Sequence, residues 1–416
     1  MSNAVQYPRS LAVQVITRVL SKGEPLDDVL NELGAGLAPT QNAWLQEVCS
    51  GVLRWKGRLD LALDSLSLKK KPSGWLRKVL LMGAYQLIGQ ERTPAALAAN
   101  ETVSLVRKKE GALPAKFANA LLRRLSEQSV GWRDLAFPPT NRAAQASWAS
   151  LPDWMWDRLV KQQGEEWARA FATACLERPV LWLRAKNDSW KAPDGAEKGP
   201  VSFSWASTTG GNPTQFSGFR EGEFIIQDIS SQILVSEMAG IVAANSKDPK
   251  SIRTLDLCAA PGGKAVALSW LGFQVSATDL AHKRMKLLRD TVARTAQAIR
   301  VVDRESVAWN EQDWIWIDAP CTGSGLIRRH PDVRWLRKES DLKALAETQA
   351  KLLQEAFEKA PAGSFISYSV CSVLEEEGPA HLEALGLVPN VVRTWSLAPH
   401  LDSGGDGFWA VLLRKN

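Results

Sequence analysis

Along the first 130 residues, apolar side chains return every three or four positions. The stretches SLAVQVITRVL, AWLQEVCSGVLRWKGRLDLALDSL, GWLRKVLLMGAYQLIG and KFANALLRRLSE each place them on one helical face. Breaks with Gly, Pro or Ser, such as LGAGLAPT, KKKPSG and GALPAK, separate these stretches. The pattern predicts an all-α bundle over residues 1–138. After FPPTN, a linker by composition, LPDWMWDRLVKQQGEEWARAFATACLE resumes the helical period and PVLWLRAK alternates like a strand. Residues 191–218 are rich in Gly, Pro, Ser and Thr. Residues 139–222 are therefore expected to form connecting helices and a small α+β segment.

From Glu223 onward the period changes again. IRTLDLCA, FQVSATD, WIWIDAP and GSFISYSV are short apolar runs bounded by turn residues. AHKRMKLLRDTVARTA and DLKALAETQAKLLQEAFEKA lie between them with helical spacing. This alternation predicts an α/β domain over 223–416, a mostly parallel sheet covered by helices on both faces. In such sheets ligands bind where strands end at their carboxyl side, which is where the unusual motifs of this region fall.

Composition narrows the function classes. A chain of 416 residues is too long for one ordinary core. Hydrophobic content of 45% and charged content of 23% are those of a water-soluble globular protein. No apolar run approaches the roughly 20 residues that cross a bilayer, and MSNAVQYPRSLAVQ lacks the parts of a secretory signal. A cytoplasmic protein is expected. The five cysteines (Cys49, Cys175, Cys258, Cys321, Cys371) are odd in number and scattered, without a Cys-x-x-Cys pair. That argues against a disulfide framework and a structural zinc site. Four histidines without metal spacing add to the expectation of no metal. Cys49 and Cys175, in helical sequence, read as small core residues.

The formal charge of +6 is unevenly spread. Residues 1–130 hold 18 Lys/Arg against 11 Asp/Glu, or +7, and the remainder is near neutral at −1. Lys69-Lys70-Lys71, Arg107-Lys108-Lys109 and Arg123-Arg124 lie in this segment, and three such clusters favour a polyanion partner, nucleic acid above all. Eighteen Trp against three Tyr is unusual, and most of these indoles are expected in the core.

The strand ends carry the chemistry. LDLCAAPGGK runs from a strand through a loop of small residues into a helix; Gly262 and Gly263 allow close backbone approach to a ligand, and the helix offers free N–H groups. The stretch is neither G-x-G-x-x-G nor G-x-x-x-x-G-K-[ST], which disfavours nicotinamide cofactors and nucleoside triphosphates. Asp279 ends the next strand, where an acid can accept ribose hydroxyls. Asp303 follows the third strand, suited to an adenine amino group, and Asp318 ends the fourth. Taken together they suggest an adenosine-containing ligand without phosphates. Cys321 in WIDAPCTGSG and Cys371 in SYSVCS both end strands beside polar loops. The residues alone leave open which of the two is a nucleophile. Arg328, Arg329, His330, Arg334 and Arg337, in RRHPDVRWLRK directly after the Pro-Cys loop, are candidates to hold RNA phosphates.

DLCAAPGGK, DAPCTGSG and YSVCS, in this order, resemble the signature motifs of the RNA cytosine-5 methyltransferases of the Nol1/Nop2/Sun family. LIRRHPDVRWLRK, IIQDISSQIL and GDGFWAVLLRK resemble its bacterial Sun/Fmu branch, which acts on 16S ribosomal RNA. LLMGAYQLIGQERTPAALAANETVSLVRK and FANALLRRL resemble the NusB-like RNA-binding domain of that branch. The resemblance covers nearly the whole chain and is weakest from about 140 to 220. It implies a multidomain protein, an all-α NusB-like bundle followed by a Rossmann-like domain that uses S-adenosyl-L-methionine. The cofactor would lie against Cys258, Ala259, Ala260, Pro261, Gly262, Gly263 and Lys264, with Asp279, Asp303 and Asp318. Cys371 maps to the family's nucleophile, and Cys321 to the cysteine that assists breakdown of the covalent adduct. Asp318 is expected to meet both cofactor and base. A monomer is expected. The chain has Val370 and Ala265 where the family usually has Thr.

The chemistry accounts for the residue types. Carbon 5 of cytosine is a poor nucleophile until a thiolate adds at carbon 6, and a free thiol of pKa ~8.5 is only a few per cent ionised at neutral pH. Two other readings compete: the same chemistry on tRNA or another rRNA site, and a non-catalytic RNA-binding or assembly factor. A dinucleotide oxidoreductase is disfavoured by the missing glycine fingerprint.

Overall fold

Apolar periodicity in the first third becomes a set of helices whose buried stripes share one core. The computed structural model describes residues 8–67, 71–90, 93–138, 140–207, 211–245, 248–401 and 404–416. The helices are α1 (Pro8–Thr17), α2 (Leu26–Gly34), α3 (Pro39–Ser65), α4 (Gly74–Ile88), α5 (Ala95–Glu110), α6 (Ala112–Glu127), α7 (Ser129–Arg133), α8 (Arg142–Ala149), α9 (Asp153–Gln163) and α10 (Glu165–Ala174). Helix α3 starts with Pro39 at its first position, where the missing N–H costs nothing. It buries Leu45, Val48, Val52, Leu59 and Leu63 completely. Gly51 lets α4 come close: a Cβ there would lie 1.9 Å from the Tyr85 ring, whose hydroxyl donates to Glu47 at 2.9 Å. Cys49 and Cys175 are fully buried, as their helical context predicts.

A four-stranded antiparallel sheet follows, with β1 (Leu181–Ala185), β2 (Ala196–Lys198), β3 (Ser204–Ser207) and β4 (Phe224–Ile226) in the order β2-β3-β1-β4. The α/β part continues with α11 (Ile229–Ala244), β5 (Arg253–Asp256), α12 (Gly263–Trp270), β6 (Gln274–Ala277), α13 (His282–Thr295), β7 (Arg300–Val301) and β8 (Trp314–Asp318). Then come α14 (Val333–Leu336), α15 (Glu339–Lys359), β9 (Phe365–Val370), α16 (Pro379–Ala384), β10 (Val391–Leu397) and β11 (Phe408–Arg414). The main sheet has the order β10-β11-β9-β8-β5-β6-β7. Strands β5 to β9 pair in parallel, and β11 runs antiparallel to β9 and β10.

Both faces of this sheet are buried, so its strands read as continuous apolar runs. On β8, Trp314 and Trp316 point into one core and Ile315 and Ile317 into the other. The two indoles are fully buried and donate to Ser367 Oγ at 2.8 Å and Ser369 Oγ at 3.1 Å on β9. Trp316 thus serves the sheet interior, as expected of most Trp here. Strand order reverses at β5, with β6 and β7 on one side and β8 and β9 on the other. That reversal creates the crevice in which open α/β sheets bind ligands.

The chain divides into two compact units, Met1–Glu177 with Ile327–Glu339, and Arg178–Leu326 with Ser340–Asn416. The division falls at neither 138/139 nor 222/223. Helices α8 to α10 belong with the bundle because α8 packs on α3 and buries Trp148 and Ala149. Residues 327–339 also belong to the bundle, although they lie between two strands of the main sheet in sequence. Among the described residues no helix is long and apolar enough to cross a membrane.

Candidate active site

Strand β5 ends at Asp256, and the chain turns through Cys258–Pro261 into α12. Gly262 caps that helix at φ +114°, in the left-handed region where a side chain is strained, and an added Cβ would also press on Leu288 at 3.2 Å. A cavity of about 190 Å³ opens beside this turn. Of the expected cofactor residues, Cys258, Ala259, Ala260, Pro261, Gly263, Lys264 and Asp318 line it. Ile226, Gln227, Asp228, Ser231 and Asp256 line it as well. Gly262, Asp279 and Asp303 are not among its lining residues.

Asp279 shapes the turn: one oxygen accepts the Ala260 N–H at 3.0 Å and the other the Ala281 N–H at 3.0 Å. Arg284 reinforces it, 3.8 Å from Asp279 and hydrogen-bonded to the Ala260 carbonyl. Asp303 is exposed, 3.7 Å from Arg289. Asp256, which sequence reasoning passed over, is fully buried. Burial, then the nearby Asp318 carboxylate, pushes its carboxyl up to about 7. Its position one strand-end before the glycine turn was the available signal.

Lys264 and Asp318 form the charged centre. Lys264 Nζ meets Asp318 Oδ2 at 2.6 Å, and Ser369 Oγ donates to Asp318 Oδ1 at 3.0 Å. Parallel pairing of β8 with β9 sets Asp318 opposite Ser369. A chain of hydrogen bonds therefore runs from the Trp316 indole through Ser369 and Asp318 to Lys264. Burial weakens the hold of Lys264 on its proton, but Asp318 and then Asp256 outweigh it and raise that affinity above the ordinary value. The Lys264 ammonium also stands 5.4 Å from the centre of the Phe408 ring.

The two cysteines, fifty positions apart, are brought together: Cys321 Sγ lies 3.0 Å from Cys371 Sγ. Cys321 is buried and Cys371 half-buried. The hydrogen bond with Cys371, burial and the Glu377 charge hold the Cys321 thiol well above its ordinary pKa, so it keeps its proton. Backbone contacts tie the two loops, with Gly325 N donating to the Cys371 carbonyl at 3.1 Å and Gly407 N to the Gly325 carbonyl at 2.8 Å. Ser324 and Ser372 hydroxyls meet at 2.9 Å. Val370 and Ala265 are fully buried among apolar side chains.

Of the five residues expected to hold phosphates, Arg334 is corrected by its interior position. Arg334 is fully buried within the helical unit. Its guanidinium donates to the carbonyls of Arg54 and Ser150 at 3.0 Å, Cys175 at 3.1 Å and Ile327 at 2.8 Å. Arg328 is buried too, and its carbonyl accepts from Arg54. Arg334 does not reach a phosphate, because its guanidinium is taken up by this interior carbonyl cluster. His330 lies 3.4 Å from Asp27, whose carboxylate raises the imidazole's affinity for a proton. Arg329 and Arg337 are half-buried. Of the basic clusters, Lys69 and Lys70 lie outside the described residues, Lys71 pairs with Asp64 at 2.8 Å, and Arg107, Lys108, Lys109, Arg123 and Arg124 are exposed.

Comparison with known proteins matches residues 243–395 to the family described as 16S rRNA methyltransferase RsmB/F, and residues 6–127 to the NusB family. The chain is 31% identical to ribosomal RNA small subunit methyltransferase B of Citrobacter koseri over 99% of both chains. It is 32% identical to the protein of that name from Klebsiella pneumoniae, over 92% of this chain and 90% of the other. Among solved structures, PH0851 superposes with a TM-score of 0.72 over 100% of both chains at 21% identity. NSun6 from Pyrococcus horikoshii, solved with SFG, gives 0.55 at 14% identity, over 64% of this chain and 98% of that one. These two share its fold. With 31–32% identity along almost its whole length and two matched regions in the same chain, the protein belongs to the ribosomal RNA small subunit methyltransferase B family.

Proposed function

We propose that this protein methylates carbon 5 of a cytidine in 16S ribosomal RNA through a covalent bond to Cys371, with S-adenosyl-L-methionine as cofactor. The observation that carries the reading is the pairing of Cys321 and Cys371 at 3.0 Å beside the Lys264–Asp318 pair. The cavity fits the cofactor's charge. Asp228 and Asp318 line it against one ammonium, Lys264, an environment that suits a sulfonium and an ammonium better than phosphates. The residues Cys258–Pro261, Gly263, Lys264 and Asp318 would hold it, with Asp279 keeping the turn in shape. When bound, S-adenosyl-L-methionine supplies an electrophilic methyl group.

The chain's own residues do the rest. The Cys371 thiolate forms a bond to carbon 6 of cytosine, and the displaced π pair makes carbon 5 nucleophilic. Asp318, carrying a hydrogen bond from Ser369 and the Lys264 ammonium, is directed to the polar edge of the base. After methylation the carbon 5 proton leaves, its electron pair restores the carbon 5–carbon 6 double bond, and the Cys371 sulfur departs with the carbon–sulfur pair. Cys321 enters this last step with its proton in place; it gives that proton to the departing sulfur and takes up the one released from carbon 5. The test is methyl incorporation and gel-stable RNA–protein adduct with unmethylated 16S rRNA. Cys371→Ala should abolish both, and Cys321→Ala should lose turnover while adduct accumulates. Full activity in Cys371→Ala would overturn the mechanism. Mapping 5-methylcytidine in total RNA with and without the protein separates 16S rRNA from tRNA or another rRNA site.

A further inference from the structure

We infer that Glu377, together with Gln349, is a positioning residue that holds the Cys321 loop in register with Cys371; this rests on the covalent reading above. Glu377 is fully buried. Its carboxylate accepts from neutral donors: the Thr322 N–H at 2.7 Å, the Thr322 hydroxyl and the Gln349 amide at 3.0 Å. A buried carboxylate without a cation is costly, and convergent hydrogen bonds are what offset that cost. Gln349, from α15, donates also to the Pro320 carbonyl at 2.8 Å, and its own oxygen meets His381 Nε2 at 3.0 Å.

Cys321 is therefore bracketed. The carbonyl before it is held by Gln349 and the amide after it by Glu377, so neither peptide plane beside the thiol can turn freely. The same acid is anchored to the strand that leads to the other cysteine, because the Tyr368 hydroxyl on β9 donates to the Glu377 carbonyl at 2.7 Å. Glu377 thus holds the Cys321 loop through its carboxylate and the strand leading to Cys371 through its main-chain carbonyl. Glu377 touches neither base nor cofactor in this arrangement and acts through Thr322 and Gln349. Proton exchange between the two sulfurs depends on their 3.0 Å approach, and releasing the bracket loosens it.

The experiment uses the full-length protein, unmethylated 16S rRNA and S-adenosyl-L-methionine, reading multiple-turnover methylation, denaturant-resistant adduct and thermal melting. Glu377→Ala should lower turnover at least about tenfold, since a displacement of about 1 Å can cost about a hundredfold, and adduct should accumulate as in Cys321→Ala. Glu377→Gln keeps the size and one acceptor oxygen and should restore most of the turnover. Wild-type turnover without adduct in Glu377→Ala overturns the proposal. Should Glu377→Ala fail to fold, Gln349→Ala, which leaves the acid in place and frees Pro320, must itself accumulate adduct; its absence there also overturns the proposal. Failure of the covalent reading shows separately, as an active Cys371→Ala or an adduct-free Cys321→Ala.

Discussion

Asp256 is fully buried at the end of β5. Its pKa lies near 7 in the folded protein, against 3.8 for an ordinary Asp. The folded state therefore holds this proton more tightly than the unfolded chain does. The resulting stability is complete below about pH 4 and is lost as pH rises through about 7. Asp256→Asn, neutral at every pH, should raise the melting temperature by several degrees at pH 8 and change it little at pH 4. Calorimetry at the two pH values checks this, and parallel shifts at both would count against it. Residue types were the most legible part of the site: Lys264, Asp318, Cys321 and Cys371 all sit in motifs at strand ends, and the roles expected of the two cysteines came from the family resemblance. Asp256, Ser369 and Glu377 were not legible, because an acid or a serine acquires its role from burial and from a partner dozens of residues away.

Loops and segments changed meaning more than residues did. In WIDAPCTGSG the sequence singled out Cys321 and Asp318, while the structure shows that Gly325 is needed for backbone packing. A Cβ there would lie 2.0 Å from the Gly407 carbonyl oxygen, and the Gly325 amide and carbonyl bond Cys371 and Gly407. Gly325→Ala should cost about 1–3 kcal/mol of stability and lower methyl transfer, measured by urea unfolding and turnover. Unchanged values for both would show that the loop can yield. The segment 327–339 is a second case. Its basic composition suggested phosphate contacts, but it folds into the helical unit, with Trp335 donating to the Leu53 carbonyl at 2.7 Å and Asp332 accepting the Leu26 amide at 3.0 Å. Composition describes what a segment carries; whether those charges face water depends on what packs over them.

For the molecule as a whole, the charge asymmetry has a direct consequence. The exposed cations of the first 130 residues are Arg107, Lys108, Lys109, Arg123 and Arg124 among others. If they meet the RNA backbone, Lys108→Ala and Arg124→Ala should each weaken RNA binding and reduce the salt slope by about 0.7–0.9. Arg334→Ala should leave that slope unchanged and instead destabilise the fold, since it strips donors from four buried carbonyls. Filter binding across a salt series, with a thermal melt of each variant, distinguishes the two effects.

The sequence by itself determined the helical period of the first third, the alternation of strands and helices after Glu223, and the identity of the motifs at the strand ends. These are local properties, set by side-chain spacing along the backbone and by turn chemistry. Only the tertiary structure decided that Cys321 and Cys371 touch, that Glu377 braces them, and that Arg334 is an interior residue. Each depends on pairs of residues far apart in the chain, brought together by strand register and burial, and no local pattern encodes which distant group will complete a hydrogen bond.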